Sequence, residues 1–313
     1  MTKSEGVTIH GAYPLSGTLT YPEDTAKSAP AILIIPGTGK SDRDGNVKRM
    51  KMNLYKDLAE YFTSRGFITL RYDKRGTHQS GGNFYETGVY DLIDDAANCI
   101  GFLQDHPKVN KNKILILGHS EGALLAPAVH KQKPVAGLIL LAGAAEPSNQ
   151  LLPRQSEIAL SEIEQTKGFK GWLFKVLNVT EKAKKQNKAI MKKIMESSQS
   201  VIRIKGARFP AKWMREQMGY NVCDYLEQTT CPVIAITGEK DLQVPPEQAQ
   251  RIAELVKGEA EWHMIPDMNH ILRKYQGTHT MLGLIKEYKS QLNEPICPEL
   301  FQTIDSWLKK RFS

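Results

Sequence analysis

Cysteine is scarce in this chain: four in 313 residues, Cys99, Cys223, Cys231 and Cys297, with no CxxC pair among them. Such scatter excludes a disulfide framework and a zinc ribbon, and it suits a reducing compartment. Long apolar runs are also missing. The longest, around residues 135–145, is broken by glycine and falls well short of the ~20 residues a membrane-spanning helix needs. The first six residues are polar and lead straight into an alternating pattern, so no signal peptide is expected and the expected location is the cytoplasm. No internal repeat or low-complexity tract occurs, and no aromatic-basic module of the kind that binds nucleic acid is present.

What is there has an ordinary globular balance, 41% hydrophobic and 24% charged residues, with length enough for one large domain and an insertion. Residues 7–10 and 17–21 flank a turn-forming stretch and predict an opening antiparallel hairpin. Apolar runs then alternate with helix-forming segments: strand 31–35 and helix 53–65, strand 67–72 and helix 91–105, strand 114–117 and helix 123–130, then strand 135–141. That alternation predicts βαβ units and a mostly parallel sheet, an α/β fold. It stops at residue 145 and resumes with strand 231–237, helix 246–257, strand 261–265 and a closing helix 298–312.

The interruption reads as a helix-rich insertion, with Trp172, Phe174, Ile190, Met191, Ile194, Met195, Trp213 and Met218 at spacings that suit amphipathic helices. Residues 151–220 hold fifteen lysines and arginines, six glutamates and no aspartate, a balance of +9 against +8 for the whole chain. A solvated helical face accounts for such a run, and an anionic ligand or membrane surface is the competing reading.

Gly118-His119-Ser120-Glu121-Gly122 lies between the strand at 114–117 and the helix at 123–130. A GxSxG turn in that setting holds its serine on a strained backbone with the hydroxyl clear of the sheet, which makes Ser120 the candidate nucleophile. A serine needs an imidazole to take its proton and an acid to hold that imidazole. Asp241 follows the strand at 231–237, and His270 lies in the loop after the next strand, giving the order Ser, Asp, His. Glu239 and Asp267 are the rival acids. The amide of Glu121, at a helix N-terminus, and the amide of Thr38, in the loop Pro36-Gly37-Thr38-Gly39, are the expected donors to a developing oxyanion. Gly37, Gly39 and His119 are further candidates for substrate contact, although the His119 side chain should diverge from the hydroxyl and pack beside the turn. Gly39-Lys40-Ser41 lacks the upstream glycine of a phosphate loop, and the glycine of Asp42-Arg43-Asp44-Gly45-Asn46 comes too early for an EF-hand, so neither ATP nor calcium is implied.

With these residues in place, the chain resembles the α/β-hydrolase superfamily, in particular its serine aminopeptidase-like and carboxylesterase-like branch. Ser41-Asp42-Arg43-Asp44-Gly45-Asn46, Arg71-Tyr72-Asp73-Lys74-Arg75-Gly76 and Asn269-His270 also look like that branch. Where many lipases carry His-Gly in the oxyanion loop, this chain has Pro36-Gly37, and Ala123 replaces the second glycine common in prolyl-oligopeptidase relatives. The resemblance implies an α/β-hydrolase core over residues 1–145 and 226–313, with helices on both sheet faces, and a helical cap over residues 146–225. It implies a serine hydrolase that needs no cofactor or metal and acts on a small-molecule ester of a small to medium acyl group. An acyl-CoA thioesterase or an aminopeptidase could use the same three residues. A catalytically silent protein that binds a ligand, or rests its basic cap on a membrane, is the alternative outside enzymology. Nucleic acid is not an expected partner, and the sequence does not set an oligomeric state.

Overall fold

Ile32 and Ile34 point to one side of their strand, Leu33 and Ile35 to the other, and all four are buried. A strand with no wet face must lie in the middle of a sheet covered on both sides. The structure, a computed structural model, describes residues 3–23 and 28–312. Its strands are β1 (Lys3–Ile9), β2 (Leu15–Tyr21), β3 (Ala29–Ile35), β4 (Ile68–Tyr72), β5 (Val109–His119), β6 (Gly137–Leu141), β7 (Val201–Ile204), β8 (Ala207–Pro210), β9 (Val233–Gly238) and β10 (Ala260–Ile265). Its helices are α1 (Leu54–Ser64), α2 (Val89–Asp105), α3 (Glu121–Gln132), α4 (Ser148–Gln165), α5 (Gly168–Val176), α6 (Val179–Glu196), α7 (Ala211–Gly219), α8 (Cys223–Leu226), α9 (Gln248–Leu255), α10 (Leu284–Ser290) and α11 (Pro298–Phe312).

Eight strands form one sheet in the order β1-β2-β4-β3-β5-β6-β9-β10. The hairpin β1–β2 joins antiparallel to β4, and the six strands from β4 to β10 run parallel. From β3 the chain steps to β4 on one side and then returns to β5 on the other. Such a reversal opens a crevice at the carboxyl ends of the two central strands. Ile35 pairs with Gly118, so the loop after β3 and the turn after β5 leave the sheet side by side.

Alternate residues of the parallel strands feed two cores. One holds Leu33, Ile116 and Leu140 against α2, α3 and α9, and the other holds Ile34, Leu117 and Leu141 against α1 and α11. β5 is longer than its apolar run because Val109 pairs with Ala29, with a register irregularity absorbing the polar residues between.

Residues 146–225 contain α4 to α7 and most of α8, together with a hairpin, β7–β8, that helical spacing did not foresee. Lys205 and Gly206 at its tip both have positive φ, 50° and 82°, the conformation that two-residue hairpins demand. The helical segment has a small cluster of its own around Ile194, Ile202 and Ala211, whereas Tyr220, Val222, Cys223 and Leu226 belong to the main core. The end of the expected cap therefore packs with the sheet-bearing part, and residue 225 falls inside α8. α10 was not foreseen either. Among the described residues no helix is long and apolar enough to cross a membrane, and all four cysteines are buried and unpaired.

Candidate active site

Ser120 takes φ 55° and ψ −119° between β5 and α3, a conformation few side-chain-bearing residues adopt. The flanking glycines make the turn possible. A Cβ on Gly118 would come within 2.3 Å of the Gly122 carbonyl oxygen, and one on Gly122 within 2.1 Å of the Ile35 carbonyl oxygen. The Ser120 amide donates to Leu141 O at 2.9 Å, which ties the turn to the neighbouring strand β6.

His270 Nε2 lies 2.9 Å from Ser120 Oγ, and His270 Nδ1 lies 2.8 Å from Asp241 Oδ2. Both Asp241 and His270 are buried. The other Asp241 oxygen accepts the amides of Gln243 and Val244, at 2.9 and 3.0 Å, which leaves Oδ2 for the ring. A carboxylate only accepts, so Nδ1 carries the hydrogen and Nε2 is free to take a proton from the serine. The rival acids stand apart: Glu239 is exposed and accepts the Asp267 amide at 3.3 Å. The loop bearing His270 is anchored by Asn269, whose Nδ2 donates to Glu287 in α10 at 2.8 Å and to Gln291 just beyond it at 2.7 Å.

His119 does turn away from the hydroxyl. Its Nε2 meets the His270 carbonyl oxygen at 2.9 Å and its Nδ1 meets the Tyr55 hydroxyl at 3.1 Å. That hydroxyl accepts the Gly37 amide at 2.7 Å. Every direction follows from the first: the carbonyl can only accept, so Nε2 donates, Nδ1 accepts from Tyr55 O–H, and the Tyr55 oxygen accepts from Gly37. Burial lowers the His119 pKa to about 4, which keeps the ring in this neutral form, and burial raises that of the Tyr55 phenol.

Gly37 is held from its other side as well. Lys74 Nζ donates to Gly37 O at 2.5 Å and lies 3.5 Å from Glu121 Oε2, with both side chains buried. Burial lowers the lysine's pKa, and the Glu121 carboxylate opposes that shift. Glu121 Oε1 accepts from Trp213 Nε1 of α7 at 2.8 Å. The Gly37 amide is thus occupied by the protein and unavailable to a ligand, which leaves the next amide, that of Thr38, as the loop's candidate donor. The Glu121 amide opens α3, where helix geometry supplies no acceptor.

The segments that carry the family resemblance hold each other. Arg71 pairs with Asp44 at 2.9 Å, Asp73 with Arg43 at 2.6 Å and Arg75 with Asp95 at 2.6 Å. The first two contacts fix the loop after β3 to the end of β4, and the third ties the residues that follow β4 to α2.

Ser120 opens into a cavity of about 400 Å³ lined with Thr38, Glu121 and His270 and with apolar side chains such as Met52, Leu124, Leu151 and Val244. Among the described residues, Glu121 is the one charged side chain in that lining. A second chamber of about 120 Å³, walled by Lys74, Phe84, Leu92 and Pro210, shares Thr38, Glu121 and Trp213 with the first. Of the candidates for substrate contact, Gly37 and His119 line the main cavity and Gly39 lines the side chamber. Of the eight large apolar residues singled out in the insertion, Trp213 alone lines either chamber, and Trp172 faces solvent. The roles of Tyr55, Lys74 and Trp213 were not visible in the sequence, because each acts on an atom far away along the chain. Among the described residues no three His, Cys, Asp or Glu side chains gather in a way that could hold a metal ion.

Comparison with known proteins bears on the fold and the family. The esterase EstD of Thermotoga maritima is 25% identical over 287 residues, which cover 91% of this chain and 64% of that protein, so the chain spans somewhat less than two thirds of its relative's length. Among solved structures, Est1E of Butyrivibrio proteoclasticus with ferulic acid bound superposes with a TM-score of 0.59 at 19% identity, over 93% of this chain and 99% of that one. The Pyrococcus furiosus esterase Pf2001 gives a TM-score of 0.61 at 17% identity, over 99% and 92%. At such identities the likeness establishes the fold, that of the α/β-hydrolases. The model of the family described as serine aminopeptidase, S33, matches residues 49–274, and the chain belongs to that family.

Proposed function

We propose that the protein is a serine hydrolase that cleaves carboxylic esters of small to medium acyl groups through an acyl-enzyme. The observation that carries this reading is the unbroken contact Ser120 Oγ, His270, Asp241, at 2.9 and 2.8 Å, opening into an apolar cavity. Ser120 Oγ attacks the ester carbonyl as its proton passes to His270 Nε2, and Asp241 stabilises the imidazolium. The amides of Thr38 and Glu121 receive the oxyanion. The alcohol leaves with the proton from Nε2; water, deprotonated by the same nitrogen, then releases the acid and restores Ser120.

Two observations rank the related substrates lower. An aminopeptidase needs a carboxylate for the free α-amine, and Glu121, the cavity's one carboxylate, is already occupied by Lys74 and Trp213. An acyl-CoA thioesterase needs cations for phosphates, and among the described residues no lysine or arginine lines the main cavity. The names of EstD, Est1E and Pf2001 also favour esters.

The purified protein should hydrolyse p-nitrophenyl butyrate, with preference over the matched thioester and aminoacyl p-nitroanilides. Ser120→Ala should lower kcat by a factor on the order of 10⁴ or more. A folded protein inert toward all three classes would favour a silent ligand-binding role.

A further inference from the structure

α5 turns an apolar stripe to solvent. Phe169, Trp172 and Val176 recur at i, i+3 and i+7 and so share a face; they are 74%, 58% and 60% exposed. The two aromatic rings stack with centroids 5.6 Å apart, and Leu177, 48% exposed, follows at the helix end. None of the four lines either chamber beside Ser120. The surrounding charge is mostly positive, although Lys184 pairs with Glu164 and Glu181. Residues 167–193 carry nine lysines and one glutamate, a balance of +8, which equals the net charge of the entire chain.

We propose that α5 and the adjoining α6 dock onto an anionic phospholipid bilayer. Two demands meet in these 27 residues: the stripe needs an apolar environment and the lysines need anions. Nucleic acid would answer the lysines but offers no apolar cover for Val176 and Leu177. A second copy would cover the stripe, yet it would press two strongly cationic surfaces together. The headgroup region of an anionic bilayer answers both needs within one depth: its lipids attract lysines, its acyl boundary takes aliphatic side chains, and tryptophan is favoured where the two meet. α5 packs on α4, whose Leu151 and Leu152 line the main cavity, so docking would bring the cover of that cavity to the lipid surface. This docking does not depend on the hydrolytic reading.

The full chain would be sedimented with vesicles of phosphatidylcholine alone or with about 30% phosphatidylglycerol. Wild-type protein should partition at least ~10-fold more strongly onto the anionic vesicles, and raising NaCl from about 0.05 to about 0.5 M should remove most of that difference. Phe169→Ala/Trp172→Ala should weaken partition ~10-fold or more while leaving the thermal melt and p-nitrophenyl butyrate hydrolysis unchanged. Equal partition onto both vesicle types, or binding that survives the double substitution, would overturn the proposal. A dimer that Trp172→Ala abolishes would assign the stripe to a second copy instead, and oligonucleotide binding lost in the same variant would assign it to nucleic acid.

Discussion

His119 donates from Nε2 to the carbonyl oxygen of His270, so the residue before the candidate nucleophile holds the backbone of the candidate base. From there the bonds continue through Tyr55 to the amide of Gly37, beside the expected oxyanion donor Thr38. Serine, base and oxyanion loop are therefore joined by a route that avoids their reacting atoms.

The route can be cut at Tyr55. Tyr55→Phe keeps the ring and strands the buried Gly37 amide, an effect of about 1–3 kcal/mol. If that cost falls on the placement of Thr38 in the transition state, kcat drops about 5- to 150-fold with KM nearly unchanged. Steady-state kinetics on p-nitrophenyl butyrate check this, and a rise in KM at constant kcat would contradict a positioning role.

His119 also gives the fold a pH dependence. The folded ring resists protonation down to about pH 4, whereas the unfolded chain's histidine binds a proton below about 6.5. Between those values the unfolded state holds more protons, so stability falls as the solution is acidified through that window, by about 3 kcal/mol in all. In His119→Gln this contribution is absent, and urea unfolding at a series of pH values should give a flatter acid limb than wild type. Identical limbs would show that His119 does not titrate as described.

Lys74 and Glu121 are a buried pair, and removing one partner leaves the other uncompensated. Lys74→Met should cost about 3–5 kcal/mol in chemical denaturation, and adding Glu121→Gln should recover much of it. Additive losses in the double variant would mean that the two side chains are not coupled.

Trp213 lines both chambers and bonds to Glu121. Trp213→Ala should join the side chamber to the main cavity and move the preference toward longer acyl chains. The kcat/KM ratio of octanoate to butyrate esters should rise roughly tenfold or more. An unchanged chain-length profile would place the acyl group elsewhere.

The alternation of apolar runs and helices is enough to predict the parallel sheet, and the candidates Ser120, Asp241 and His270 stand out because each follows a recognisable strand in chain order. Glu121 was legible by adjacency to the serine. The supporting residues were not. Tyr55 reads in sequence as a core position of an amphipathic helix, and only the fold brings its hydroxyl to Gly37 and His119. Lys74 sits among the charged residues after β4, and its burial against Gly37 and Glu121 leaves no local signal. In the insertion, helical spacing marked Trp172 and Trp213 alike. The tertiary fold alone sends Trp213 to the cavity and Trp172 to solvent.

The central claim, that Ser120 is a nucleophile activated by His270, is tested most directly by treating the protein with a fluorophosphonate and mapping the adduct by peptide mass spectrometry. One covalent phosphonyl group on Ser120, lost in Ser120→Ala and formed far more slowly in His270→Ala, is the predicted result. An adduct on another residue, or labelling that persists undiminished in Ser120→Ala, would contradict it.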